Sequence, residues 1–213
     1  MCAREVFVAG TRTFAAEVVD FAHDAGLSVC GLLEPYDRAR VGRHIHDQPV
    51  QWLDDGPARG PAGALMGTGE PDRRPVVERL ARAGFEVATL VHPRAHVAPS
   101  TVLGQGALVA PGAIIGARSR IGDHAILGRG ALVGHHTTIG LFATIGPGAN
   151  VAGNVELGTD VFVGMGAVIR DHLTVGDSAV IAMGAVVVHD VPAGAQVRGM
   201  PAVEHHPAQR PSP

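Results

Sequence analysis

VAPSTV LGQGAL VAPGAI IGARSR IGDHAI LGRGAL VGHHTT IGLFAT IGPGAN VAGNVE LGTDVF VGMGAV IRDHLT VGDSAV IAMGAV VV is the stretch Val97–Val188, broken into sixes. Every block opens with Val, Ile or Leu, and sixteen such openings follow one another from Val97 to Val187 without a slip. The fifth residue of each block is small or β-branched, Leu173 excepted, and the second is mostly Gly. A period of six matches neither the turn of an α-helix nor the alternation of a strand. It is the repeat of a parallel β-helix, in which each hexad is one side of a triangular coil. Residues eighteen apart then stack, and the run predicts about five coils with no long loop extruded from them.

Working outward, His92-Pro93 marks a boundary, and the chain before it has a different pattern. Val6–Ala9 reads as a buried strand, and Thr13 as the N-cap of a helix over Phe14–Ala25. Leu27–Leu33 is a second strand and 38–60 a polar, irregular stretch with a short strand near Val50–Leu53. Ala62–Met66 is a further strand, Pro71 opens a helix through Ala83, and Glu86–Val91 is a last strand. Strands alternating with helices predict a small Rossmann-like α/β domain with a parallel sheet. Its ligands bind at the carboxyl ends of the strands, which places Gly10–Phe14, Glu34-Pro35 and Gly67–Glu70 around one crevice. The expected division is 1–92 for this domain, 93–190 for the β-helix, and 191–213 for a terminal turn and frayed tail.

Aromatic residues make up 4% of the chain, fewer than a layered sandwich normally packs, while Gly numbers 29. The formal net charge of −3 leaves no nucleic-acid footprint. Every fixed cation is Arg, so a phosphate would be met by Arg, backbone N–H or a helix N-terminus. Cys2 and Cys30 are too few for a disulfide framework, and no apolar run approaches a membrane span. A cytoplasmic protein with no membrane partner is expected.

The hexads together with Gly199-Met200-Pro201-Ala202 resemble the hexapeptide acyltransferases. The added N-terminal domain makes the chain similar to the bacterial sugar O- and N-acetyltransferases that modify nucleotide-linked amino sugars or sialic acid. That resemblance implies a left-handed β-helix, a homotrimer, and acetyl-CoA in the groove between neighbouring prisms. The family's catalytic hexad has a His followed by an acid, and here Val133-Gly134-His135-His136-Thr137-Thr138-Ile139-Gly140 matches it. His135 falls on the general base, suited to proton transfer near neutral pH. The tetrahedral oxyanion would be held by backbone N–H groups. His136 stands where the family carries a carboxylate, and Thr144 where close relatives carry a His.

By the same resemblance Thr144, Gly153, Met165 and Met183 match the acetyl-CoA site, with Arg198 as a phosphate contact. In the N-terminal crevice the substrate positions are Gly10, Arg12, Thr13, Phe14, Glu34 and Gly67; one Gly and one acid of the family's nucleotide loops survive. No metal is expected: a carbonic anhydrase of this fold needs three His with an H-x4-H spacing, which His96, His124, His135, His136, His172 and His189 do not supply. His124 and His172 share the hexad position of His136, so an outward His there also fits a plain surface position. The expected function is acyl transfer from acyl-CoA to an amino or hydroxyl group of a nucleotide-linked sugar. Alternatives are O-acetylation of a free sugar, sialic acid or a small non-sugar acceptor, and a non-catalytic hexapeptide scaffold.

Overall fold

The computed structural model describes residues 5–58, 62–69 and 73–207. Its contacts divide the chain into two compact units, 1–92 and 93–213.

In the first unit, β1 (Glu5–Ala9), α1 (Thr13–Asp24), β2 (Ser28–Glu34), β3 (His44–Ile45), β4 (Gln48–Trp52), β5 (Ala62–Met66), α2 (Arg74–Ala83) and β6 (Phe85–Val87) follow in order. They form a six-stranded sheet of order β3-β4-β2-β1-β5-β6. All its pairings are parallel except β3 with β4. Val18, Val19, Phe21 and Ala22 of α1 are buried, and Val76 and Leu80 of α2 join Leu33, Met66 and Phe85 in a core.

Several expected boundaries shift. Arg12, not Thr13, is the N-cap of α1, and it makes no side-chain capping bond. The second helix begins at Arg74, with Pro75 in its first turn where the missing N–H costs nothing; Pro71 and Glu70 lie outside the described residues. The irregular stretch contains the β3–β4 hairpin and two short 3-10 turns, Arg38–Arg40 and Leu53–Asp55. The expected strand Glu86–Val91 is two strands, Phe85–Val87 and Leu90–Val91.

The second unit is a parallel β-solenoid of two-residue strands. One face stacks six of them, from His96–Val97 to Val186–Val187, and another five, from Val102–Leu103 to Thr174–Val175. The third runs from Leu108–Val109 through Thr144–Ile145 and Phe162–Val163 to Val180–Ile181, and is extended by Ala195–Arg198 and Val203–Pro207. The stack is therefore longer than the expected five coils. Residues eighteen apart pair directly, as in Val133 with Val151. The first and fifth residues of each hexad point inward and form one continuous buried core, from Ala107 and Val109 to Ala185 and Val187. The tail is not frayed up to Pro207: Val203–Pro207 pairs antiparallel with Ala195–Arg198. Among the described residues no helix is long and apolar enough to cross a membrane.

Candidate active site

His135 and His136 occupy a corner of the solenoid whose backbone explains their placement. Val133 is buried in the ladder, and a Cβ on Gly134 would strike the backbone of Gly153 in the next coil, so the chain can pass here only as Gly. His136 has φ 56°, in the left-handed region. The same register carries Arg118, His124, Phe142, Asn154, Asp160, His172 and Ser178, all with φ near 60°. Short polar side chains and His are enriched in that conformation, so the recurrent His at this position is first of all a turn residue.

The His135 ring lies over the next coil at Gly153. A Cβ there would stand 2.9 Å from its Cε1, 3.1 Å from Nε2 and 3.2 Å from Nδ1. Gly153 thus makes room for the base. It belongs to the His135 corner rather than to the other residues matched to the cofactor. Its N–H has no acceptor among the described residues. Nδ1 of His135 lies 3.0 Å from Nδ1 of His136, with the rings nearly perpendicular. Both side chains are exposed.

Beneath this corner runs a column of hydroxyls. Thr101 donates to the Gly116 carbonyl, Ser119 to the Gly134 carbonyl at 2.8 Å, and Thr137 to the Ala152 carbonyl at 3.0 Å. Ser119 and Thr137 are buried inside the prism. They hold the residues immediately before His135 and Gly153. Their positions in the hexads are legible as small or β-branched, but their role becomes visible only once coils eighteen residues apart are stacked.

The remaining residues matched to the cofactor lie along a different corner. Met165 and Met183 are 56% and 74% exposed and stack one coil apart. Thr144 lies on the preceding face, paired with Phe162, and exposed Arg198 continues the same edge beside Ala182. One face separates this corner from His135. The outward residues of that face include the exposed Ile114, Leu132 and Val168. The structure thus does not bring these cofactor positions and His135 together within one chain.

In the first unit the three expected loops do converge. A Cβ on Gly10, at φ 134°, would meet the Gly67 carbonyl at 2.8 Å, and one on Gly69 would meet the Phe14 ring at 3.5 Å. Gly67 is itself hemmed in by Val8, Ala9 and Ala15, so both Gly10 and Gly67 serve close chain packing. Thr13 is the first residue of α1. Glu34 is 2% exposed and its carboxylate is taken up internally: the Thr11 hydroxyl donates to one oxygen and the Tyr36 and Asp37 N–H groups to the other. Most of its acceptor capacity is thus met within the chain. The rim carries residues the sequence reading passed over. Arg40 donates to Thr11 at 3.0 Å, His46 meets the Arg12 carbonyl at 3.3 Å, and the Arg12 guanidinium lies 5.9 Å from the Tyr36 ring centre. Behind them Arg79 forms a two-pronged pair with Asp54, at 3.0 and 2.8 Å, and sits 5.4 Å over Trp52. The pairing holds the Asp54 carboxyl below its ordinary range.

Among the described residues, no three of His, Cys, Asp and Glu are grouped so as to hold a metal.

No protein-family model matches the chain, and no curated protein matches it either. Solved structures do. A perosamine N-acetyltransferase from Caulobacter crescentus, solved with CoA and GDP-perosamine in variants with one histidine replaced, superposes with a TM-score of 0.89 at 29% identity, over 95% of this chain and 97% of that one. The acetyltransferase domain of PglB from Neisseria gonorrhoeae, solved with acetyl coenzyme A, has a TM-score of 0.86 at 30% identity, over 95% of this chain and 100% of that one. WeeI from Acinetobacter baumannii matches over the same shares with a TM-score of 0.86 at 25% identity. With a solenoid, an N-terminal sheet and a likeness that spans both, the chain belongs to the hexapeptide-repeat sugar acetyltransferases.

Proposed function

We propose that this protein transfers an acetyl or similar acyl group from acyl-CoA to an amino or hydroxyl group of a nucleotide-linked sugar, with His135 as general base. The observation that carries this reading is the His135 ring, exposed at a solenoid corner and seated over a glycine whose N–H has no acceptor among the described residues. The acceptor nitrogen or oxygen attacks the thioester carbon and gives its proton to Nε2 of His135. The Gly153 N–H stands ready for the oxyanion. As the tetrahedral intermediate collapses, the C–S bond breaks and the proton passes to the leaving sulfur, giving free CoA thiol.

Met165, Met183 and Thr144 supply an apolar edge for the pantetheine arm, and Arg198 a cation for a phosphate. Because that edge and His135 lie on different corners, one ligand reaches both only in a groove between two prisms. The apolar stripe of Ile114, Leu132 and Val168 between the corners supports packing about a threefold axis, hence a homotrimer with three equivalent sites. In the N-terminal crevice, Arg12, Tyr36 and Arg40 together with the start of α1 at Thr13 suit a nucleotide diphosphate, while Phe14 and Gly67 shape its floor. Use of acyl-CoA agrees with the expected cytoplasmic location.

A second reading rests on Glu34. Its carboxylate is satisfied internally, which favours a free sugar or another small acceptor over a nucleotide-linked one. Release of CoA thiol from acetyl-CoA, measured with GDP-perosamine, UDP- and dTDP-linked amino sugars and their free counterparts, separates the two. Absence of thiol release with every acceptor, together with no acetyl-CoA binding by calorimetry, overturns the transferase reading and leaves a non-catalytic scaffold.

A further inference from the structure

The geometry points to His136 as the positioning residue that takes, with a neutral imidazole nitrogen, the part a carboxylate would take beside the base; this rests on the transferase reading. The two Nδ1 atoms face each other at 3.0 Å. A neutral imidazole has one N–H donor and one lone pair, so two facing nitrogens share a single proton. If His136 held it, His135 would carry its own proton on Nε2 and could not accept one there. With the proton on Nδ1 of His135 and the lone pair on Nδ1 of His136, Nε2 of His135 is free to act. Positive φ at His136 sets its backbone, so the ring is held by turn geometry as well as by the bond.

No carboxylate occupies the His136 register in the coil before it or the coil after it. Arg118 occupies the His136 register one coil earlier, and Ala117 that of His135. Asn154 holds the register one coil later, and beyond it Asp171 and His172 pair with each other at 3.6 Å. When His135 takes the acceptor proton, its Nδ1–H goes on donating to His136. The pair then carries a full positive charge beside the oxyanion, where a His–carboxylate pair would be neutral.

The test uses His136→Gly, His136→Asp and His136→Asn, all residue types that tolerate a left-handed backbone. His136→Gly should keep the melting temperature and the KM for acetyl-CoA and lose roughly tenfold or more in kcat. His136→Asn restores a neutral acceptor and part of the rate. His136→Asp restores the rate and moves the acid limb of kcat/KM to higher pH, because a carboxylate favours the protonated base. Imidazole nitrogen NMR of the intact protein should show His135 with its proton on Nδ1, reverting to the Nε2 form in His136→Gly. Wild-type kcat and an unchanged His135 tautomer in His136→Gly would reduce His136 to a turn residue. A His135 tautomer set by His136 in a protein that transfers no acyl group would uphold the pair and overturn the transferase reading.

Discussion

Replacing Gly153 with Ala tests whether the corner is built around the His135 ring. The added Cβ would stand 2.9, 3.1 and 3.2 Å from three ring atoms, against the 3.5–4.0 Å at which heavy atoms rest. The ring must retreat by about 0.5–1 Å to restore ordinary contact. Gly153 is not among the glycines with positive φ, so Ala brings no backbone strain. His135 is exposed and can swing outward, so the melting temperature should stay close to wild type. The chemistry should not. A misplacement of about 1 Å costs on the order of 100-fold in rate, and a smaller retreat costs less. The expected loss in kcat is ~10–100-fold, or about 1.4–2.7 kcal/mol of barrier. Steady-state CoA release with both substrates varied gives kcat and the two KM values separately. An unchanged kcat would refute the reasoning. A raised KM for acetyl-CoA with kcat intact would return Gly153 to the cofactor site that the family resemblance assigns it.

The hydroxyl column predicts that Thr137→Val, nearly the same shape, leaves the Ala152 carbonyl without its 3.0 Å donor. An unsatisfied buried group costs ~1–3 kcal/mol, which lowers the melting temperature by roughly 2–12 °C in a chain of this size. Scanning calorimetry reads it, and a shift within error would show that the carbonyl finds another partner. Asp54→Asn tests the Arg79 pair by pH. Hydrogen bonding to Arg79 holds the Asp54 carboxyl below its ordinary 3.8, so its stabilisation is present above that value and is lost as the pH falls through the folded-state one. Asp54 is about half exposed, so the stability gap between wild type and Asp54→Asn should be only ~0–1 kcal/mol at pH 7. Urea unfolding should show it narrowing as the pH is taken below 3.8, and a gap that persisted undiminished in acid would mean that charge is not its source.

Much of the site was legible in the hexad pattern, and the rest was hidden for identifiable reasons. His135 stood out because its hexad, Val133–Thr138, matches the catalytic hexad of the family that the chain resembles. The link between His135 and Gly153 could not be read along the chain, because it joins residues one coil apart and depends on where a ring leans. The partners of Glu34 were hidden because a lone acid after a strand looks the same in sequence whether or not it turns inward, as here, to Thr11 and two backbone N–H groups. Tyr36 was passed over just after Glu34-Pro35, and Arg40 and His46 in a stretch read as irregular; only the hairpin of β3 and β4 carries His46 to the crevice rim.

The sequence by itself determined the solenoid, its inward ladder and the register by which every eighteenth residue stacks. A strict period of six forces each aliphatic to the same inward position, and no other regular structure buries such a pattern. It also separated the α/β unit, since strands and helices alternate there with turn residues between them. Only the tertiary structure decided which side chains at a corner meet. Stacking distance, ring orientation and left-handed turns at His136 and its equivalents set those contacts. The same structure decided that the apolar methionine edge and the base lie on different corners of the prism. Periodicity fixes which residues face outward, but not which of them a neighbouring coil leaves room for.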